Sequence, residues 1–235
     1  MFFNQKSFWE TKYFATPYRA NISEEEKISG LSKLWSEMKY NFVNFDLVPG
    51  TNMNSLYFAY LPKIRKTTST LEYYKLLAEM GANLHDGHTN VFVPDTLVNE
   101  VYARPLLRSR LIENKVLIVN AYDEALKNRG IKPGLEIVAV NGLPVKQYAA
   151  QYVIPYQSSS TPQDMNTRAY EYALLAGSLT KPIQLTLSDE KGNRKAYTVY
   201  RVTPEYRDKK LLLPPFDFRM LKGNVAYVVL NSFGT

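Results

Sequence analysis

Both histidines of the chain fall within six residues, Leu84-His85-Asp86-Gly87-His88-Thr89. An imidazole titrates near neutrality, so either ring can take or give a proton as a general base or acid. Asp86 lies two residues before His88 and adds a charge, while Gly87 adds a backbone free to turn sharply. Three residues apart, His85 and His88 also fit one helical face, as the first two ligands of a metal would. That reading fails on ligand number. The chain has no cysteine, and on a helix Asp86 would point away from both rings. No metal and no cofactor is therefore expected. His85 suits another task, meeting the last carbonyls of the preceding helix. For His88 two readings stand: a general base, or a ring that fixes the junction through backbone hydrogen bonds. Asp86 either orients that ring or caps local backbone. Ser232 follows an apolar run and is a candidate nucleophile. Asn231-Ser232-Phe233-Gly234 nevertheless lacks the Gly-x-Ser-x-Gly elbow, so Ser232 reads as a strand-end hydroxyl near a substrate groove.

The elements that position these residues are legible from periodicity and caps. Ser23 with Glu26 makes a capping box, and Ile28, Leu31, Leu34, Trp35, Met38 and Phe42 repeat at helical spacing over about 23–42. Ser55 to Lys66 reads as a second helix weakened by Pro62. Ser69 with Glu72 starts a third, whose apolar face of Leu71, Tyr74, Leu77, Met80 and Leu84 runs toward His85. Thr89 to Val93 is rich in β-formers and stops at Pro94, which puts the histidines at a helix-to-strand junction. Beyond Val98 the pattern changes to strands. Leu106–Leu111 and Lys115–Val119 flank a hairpin turn at Ile112-Glu113-Asn114. Glu124–Asn128 gives a helical turn, and Ile137–Val140 is a buried strand between Pro133-Gly134 and Asn141-Gly142 turns. Thr161–Leu175 reads as a helix after the Ser158-Ser159-Ser160 loop, and Ile183–Leu187 with Arg194–Val202 as a hairpin. Residues 203–222 read as a linker marked by Pro204, Pro214 and Pro215, and Asn224–Leu230 as a buried strand.

Composition narrows the function classes. The chain has 235 residues, of which 45% are apolar and 13% aromatic, values that suit a folded protein. The net charge of +7 is scattered: Lys63-Ile64-Arg65-Lys66 and Arg207-Asp208-Lys209-Lys210 are the only tight basic runs. No basic stripe with interleaved aromatics appears, so nucleic acid is not an expected partner. No apolar run is long enough for a membrane span, and the absence of cysteine leaves the compartment open.

Gly130 to Gly142 resembles the turn-strand-turn core of PDZ domains. Leu135 stands where that family usually has Asp, and Ala103-Arg104-Pro105-Leu106 stands where it has a glycine-rich carboxylate-binding loop. A helical bundle, an Asp-Gly-His-Thr junction, a PDZ-like domain and a strand ending in Asn-Ser-Phe together resemble the tail-specific (C-terminal processing) serine peptidases, particularly their tricorn-like branch. The resemblance covers about 22–235. It implies an α+β protein in four parts: an aromatic arm at 1–21, a helical bundle with the junction and a strand at 22–97, a PDZ-like β-rich domain with a helical insertion at 98–205, and a linker with the first strand of a truncated α/β peptidase core at 206–235. It implies further that His88 is the base of a serine, histidine and acid arrangement that cleaves polypeptides. The serine and acid would lie in a C-terminal segment missing from this sequence, so the fragment alone is expected to be inactive, and the intact enzyme to be periplasmic or exported. The alternative is a noncatalytic PDZ-like module that binds peptides or proteins.

Overall fold

A computed structural model describes residues 19–211 and 214–231. Most of the aromatic arm and Ser232 lie outside the described residues. Three helices come first: α1 (Glu24–Asn41), α2 (Met53–Arg65) and α3 (Thr70–Ala82). Each begins on a side-chain cap. Ser23 and Glu26 exchange reciprocal bonds, Asn52 accepts from the Ser55 N–H, and Ser69 accepts from the Glu72 N–H. Pro62 sits inside α2 without ending it. The helices bury Leu31, Met38, Tyr60, Ile64, Leu77 and Met80 in one core, and Leu84 joins them from just beyond α3. Gly30 lets α1 approach closely, since a methyl there would overlap the Tyr73 hydroxyl. Burial pushes that phenol up to about 12.

Thr89–Val93 is not a strand. The segment belongs to no helix and pairs with no described strand, because the sheet is built wholly from later residues. A short helix α4 (Val98–Val101) leads to β1 (Leu107–Ile112) and β2 (Lys115–Ala121). Then come α5 (Glu124–Asn128), β3 (Glu136–Val140), the two-residue β4 (Leu143–Pro144) and α6 (Val145–Tyr152). Pro162–Thr167 is α-helical, and Arg168–Ala173 continues it as a π-helix; together they form α7. Two further strands, β5 (Ile183–Ser188) and β6 (Arg194–Val199), complete an antiparallel sheet of order β1-β2-β3-β5-β6, with β4 paired to β3. Its tight turns use left-handed residues: Glu113 and Asn114 have φ 45° and 68°, Asn141 and Gly142 have φ 48° and 83°. The core under the sheet joins Ile118, Ile137, Ile183 and Leu185 to Ala149 of α6 and to Ala169 and Leu174 of the α7 segment.

Residues 203–222 are more structured than a linker. Thr203 caps α8 (Pro204–Lys210), with Pro204 in the first turn where its missing N–H costs nothing. Phe216–Leu221 then forms β7, which pairs antiparallel with β8 (Val225–Leu230). The Val225 strand is thus the second of a hairpin, and apolar side chains such as Phe216, Phe218, Met220 and Val228 are exposed on it. The molecule is accordingly α+β. Among the described residues no helix is long and apolar enough to cross a membrane.

The edge strand β1 is covered by α7. Ser109 Oγ donates to the Tyr170 carbonyl at 2.6 Å, and Arg108 and Arg110 donate to the two Glu171 carboxylate oxygens at 2.8 and 2.9 Å. The Glu171 side chain is only 4% exposed. Burial alone would raise its pKa, but the hydrogen bonds and charges of Arg108 and Arg110 outweigh that and hold it below the usual glutamate range. Its stabilising contribution is therefore complete above the ordinary glutamate pKa and is lost as pH falls through the depressed folded value. Glu171→Gln should cost about 1–3 kcal/mol at pH 7, and less as the pH approaches 3. Thermal melts of both proteins across that window check this; a pH-independent difference would contradict it.

Candidate functional site

The histidine junction follows directly from how α3 ends. The amides of Asn83, Leu84 and His85 reach back to Met80, Gly81 and Ala82, and the Asn83 side-chain amide donates to the Glu79 and Met80 carbonyls. These bonds cap the helix, so the expected role of His85 passes to Asn83. His85 instead takes a left-handed conformation, φ 48°, with its side chain exposed. The left-handed residue of the junction is thus His85 and not Gly87. Leu84, 1% exposed, anchors the near side of the turn in the bundle core.

Asp86 to Thr89 then closes a tight turn. The Thr89 N–H donates to the Asp86 carbonyl at 3.1 Å, and the Thr89 hydroxyl donates to Asp86 Oδ2 at 2.7 Å. The far side is held by residues more than seventy positions away. Ser158 Oγ donates to the Asp86 carbonyl at 2.6 Å, and Arg168 Nη2 to the Gly87 carbonyl at 3.1 Å. Arg168 is itself steadied by Asp164, whose Oδ2 accepts from Nε at 2.7 Å. Gly87 is needed here for space: a Cβ would lie 3.0 Å from Arg168 Nη2 and 3.4 Å from Asp164 Oδ2.

Out of this clamped turn His88 projects fully into solvent. Its Nδ1 is 3.8 Å from Asp86 Oδ1, too long for a hydrogen bond but within reach of the carboxylate's charge. Asp86 thus shapes the turn and does not fix the ring. No described serine sits at His88: Ser158 is engaged with Asp86, and Ser159 donates to the Thr161 carbonyl. Among the described residues no group of three His, Asp or Glu side chains could hold a metal ion. The turn can therefore present a free base and supplies no nucleophile of its own. Sequence reasoning singled out His88 and missed Ser158 and Arg168, because nothing local marks a residue as the partner of a distant carbonyl.

No protein-family profile and no curated protein matches the sequence. Solved structures share its fold. Mature CPAF aligns with a TM-score of 0.56 at 16% identity over 76% of this chain and 34% of that one. CPAF complexed with lactacystin gives 0.57 at 15% over 76% and 35%, and a serine-to-alanine mutant of CPAF gives 0.56 at 14% over 77% and 34%. The chain spans about a third of the length of the CPAF chains it matches. Tricorn protease is also similar, at 13% identity over 84% of this chain and 19% of that one, but its TM-score of 0.31 carries no argument.

The clamp makes a specific prediction. Arg168→Gln removes one charge-assisted bond, worth about 1.5–3 kcal/mol locally, and should raise the hydrogen-exchange rate of the Thr89 amide about ten-fold or more. Gly87→Ala should act in the same direction by displacing Arg168. Unchanged exchange in both variants would show that the turn holds itself.

Proposed function

We propose that this chain is the N-terminal part of a serine endopeptidase similar to the tail-specific family, in which His88 is the general base. The observation that carries the proposal is the placement of His88: an unobstructed imidazole on a turn whose backbone is held from both sides. A serine hydroxyl is a weak nucleophile until a base within hydrogen-bond reach takes its proton, and the base must be held in position for that transfer. The backbone clamp supplies position, and full exposure of the ring leaves both nitrogens open to partners. The nucleophile and the acid that orients the ring would come from a segment following Thr235.

Three further features support the reading. The likeness in fold is to about a third of CPAF, one of whose structures is of a serine-to-alanine mutant. The β7–β8 hairpin exposes apolar side chains on both faces, as the first strands of a larger sheet would before further strands cover them. The sheet domain, read as PDZ-like, has its β1 edge covered by α7, which counts against the alternative of a peptide-binding module working by strand addition at that edge. The proposed enzyme needs no cofactor, takes a polypeptide substrate and acts in the periplasm or outside the cell.

The test uses the longest product of the reading frame and an unfolded protein as substrate. His88→Ala should lower cleavage at least about a thousand-fold, while His85→Ala stays within about two-fold of the parent. A stop codon directly after Thr235, or unchanged cleavage by His88→Ala, would overturn the proposal.

A further inference from the structure

Between the helical bundle and the sheet domain lies a cavity of about 600 Å³ whose lining includes Thr89, the residue after His88. Its wall includes the aromatic residues Tyr74, Phe92, Tyr102, Tyr152, Tyr156 and Tyr172. Its charged residues are unbalanced. Lys75, Arg104 and Arg207 are cationic, and Glu100 is the one anion among the side chains that line it.

The two arginines are brought together by the chain itself. Arg104 bridges Val202, with N–H to carbonyl distances of 3.2 and 2.9 Å, and Val202 leads directly into α8, which carries Arg207. Arg104 Nη1 donates to the Tyr172 carbonyl at 2.9 Å. Arg207 donates through Nε and Nη2 to Asp208 Oδ1, at 3.0 and 2.7 Å. Asp208 is mostly exposed, whereas the Arg207 side chain is 12% exposed and its Nη1 is buried without a hydrogen-bond partner. Burial, and after it the repulsion of Arg207, lowers the Arg104 guanidinium to about 10. Two poorly solvated cations, one with an idle donor, are an arrangement that a bound carboxylate relieves.

The segment Asn90 to Phe92 also lines the cavity and supplies backbone. Asn90, Val91 and Phe92 belong to no helix or strand, and their backbone N–H and C=O groups bond no other described residue. An extended peptide can pair with backbone groups left open in this way.

We propose that this cavity binds an extended polypeptide by an acidic side chain, whose carboxylate is taken by Arg104 and Arg207 while the peptide backbone runs along Asn90 to Phe92. The aromatic wall accepts the apolar neighbours of that acidic residue. As a substrate subsite beside His88 the assignment rests on the peptidase reading, but the binding can be measured without cleavage.

The experiment titrates this chain into a fluorescein-labelled, C-terminally amidated pentapeptide with one glutamate between leucine and phenylalanine, and into its glutamine counterpart. Anisotropy should show the glutamate peptide binding about ten-fold tighter or more, with the difference shrinking as salt is added. Arg207→Gln should erase the preference with its melting temperature kept, and Arg207→Lys should keep part of it. Equal affinities for the two peptides, or a preference that survives both Arg207→Gln and Arg104→Gln, would overturn the site. A free-acid glutamine peptide that binds as well as the amidated glutamate one would assign the arginines to a chain terminus, and so overturn the side-chain assignment. Loss of the preference with cleavage intact refutes this subsite alone, and the preference without cleavage refutes the peptidase reading alone.

Discussion

The structure turns on how the backbone of Asp86 and Gly87 is held. Their two carbonyls accept from Ser158 and Arg168, side chains that belong to the segment following the sheet's α6 helix. On the other side Leu84 is buried with Met80 and Leu77 in the bundle. The junction is thereby fixed to two separate cores within five residues. A turn tethered this way can leave the His88 ring fully exposed and without a hydrogen bond, and still hold that ring's origin steady. A base awaiting a partner needs that combination, because contacts made to the ring itself would occupy the nitrogens.

The α7 segment serves several masters at once. Its first turns supply Asp164 and Arg168 to the histidine junction, its middle covers the β1 edge through Tyr170 and Glu171, and its end accepts from arginines. Arg104 takes the Tyr172 carbonyl, while Arg201 donates to the carbonyls of Leu175, Ala176, Ser178 and Lys181. Gly177 permits that approach, since a Cβ there would lie 3.1 Å from Arg201 Nη2. The excess of positive charge therefore has structural uses. Several guanidiniums satisfy helix-end carbonyls or buried carboxylates, which explains why the basic residues form no stripe along the surface.

Local rules account for much of this fold. A capping box at Ser23 and a side-chain cap at Ser69 place helices, paired left-handed residues at Glu113-Asn114 and Asn141-Gly142 place hairpins, and apolar spacing gives the bundle core. Errors arise where a local pattern lacks its distant partner. Thr89–Val93 has strand composition and no strand beside it among the described residues, so it forms no ladder and lines a cavity. Thr203-Pro204-Glu205 carries a helix-start signature that prolines elsewhere in the stretch disguised as a linker. Phe216 to Leu221 alternates and is followed by Lys222-Gly223-Asn224, a legible hairpin once the linker reading is set aside. The role of Gly87 illustrates the same limit: it lies inside the Asp86–Thr89 turn as its flexibility suggested, but the left-handed φ falls at His85, and the missing side chain of the glycine leaves room for Arg168. Of the candidate site, His88 was readable as a residue type in context; Ser158, Arg168 and the Arg104–Arg207 pair depend on chain segments that meet only in the fold.

Fluorophosphonate labelling of the longest product of the reading frame tests the central claim most directly, because such reagents phosphonylate a serine that a neighbouring base has activated, its oxygen displacing fluoride from phosphorus. The account predicts stoichiometric labelling of one serine outside the described residues, abolished in His88→Ala and retained in His85→Ala. Labelling that persists without the His88 imidazole, or no labelling of the parent protein, would contradict it.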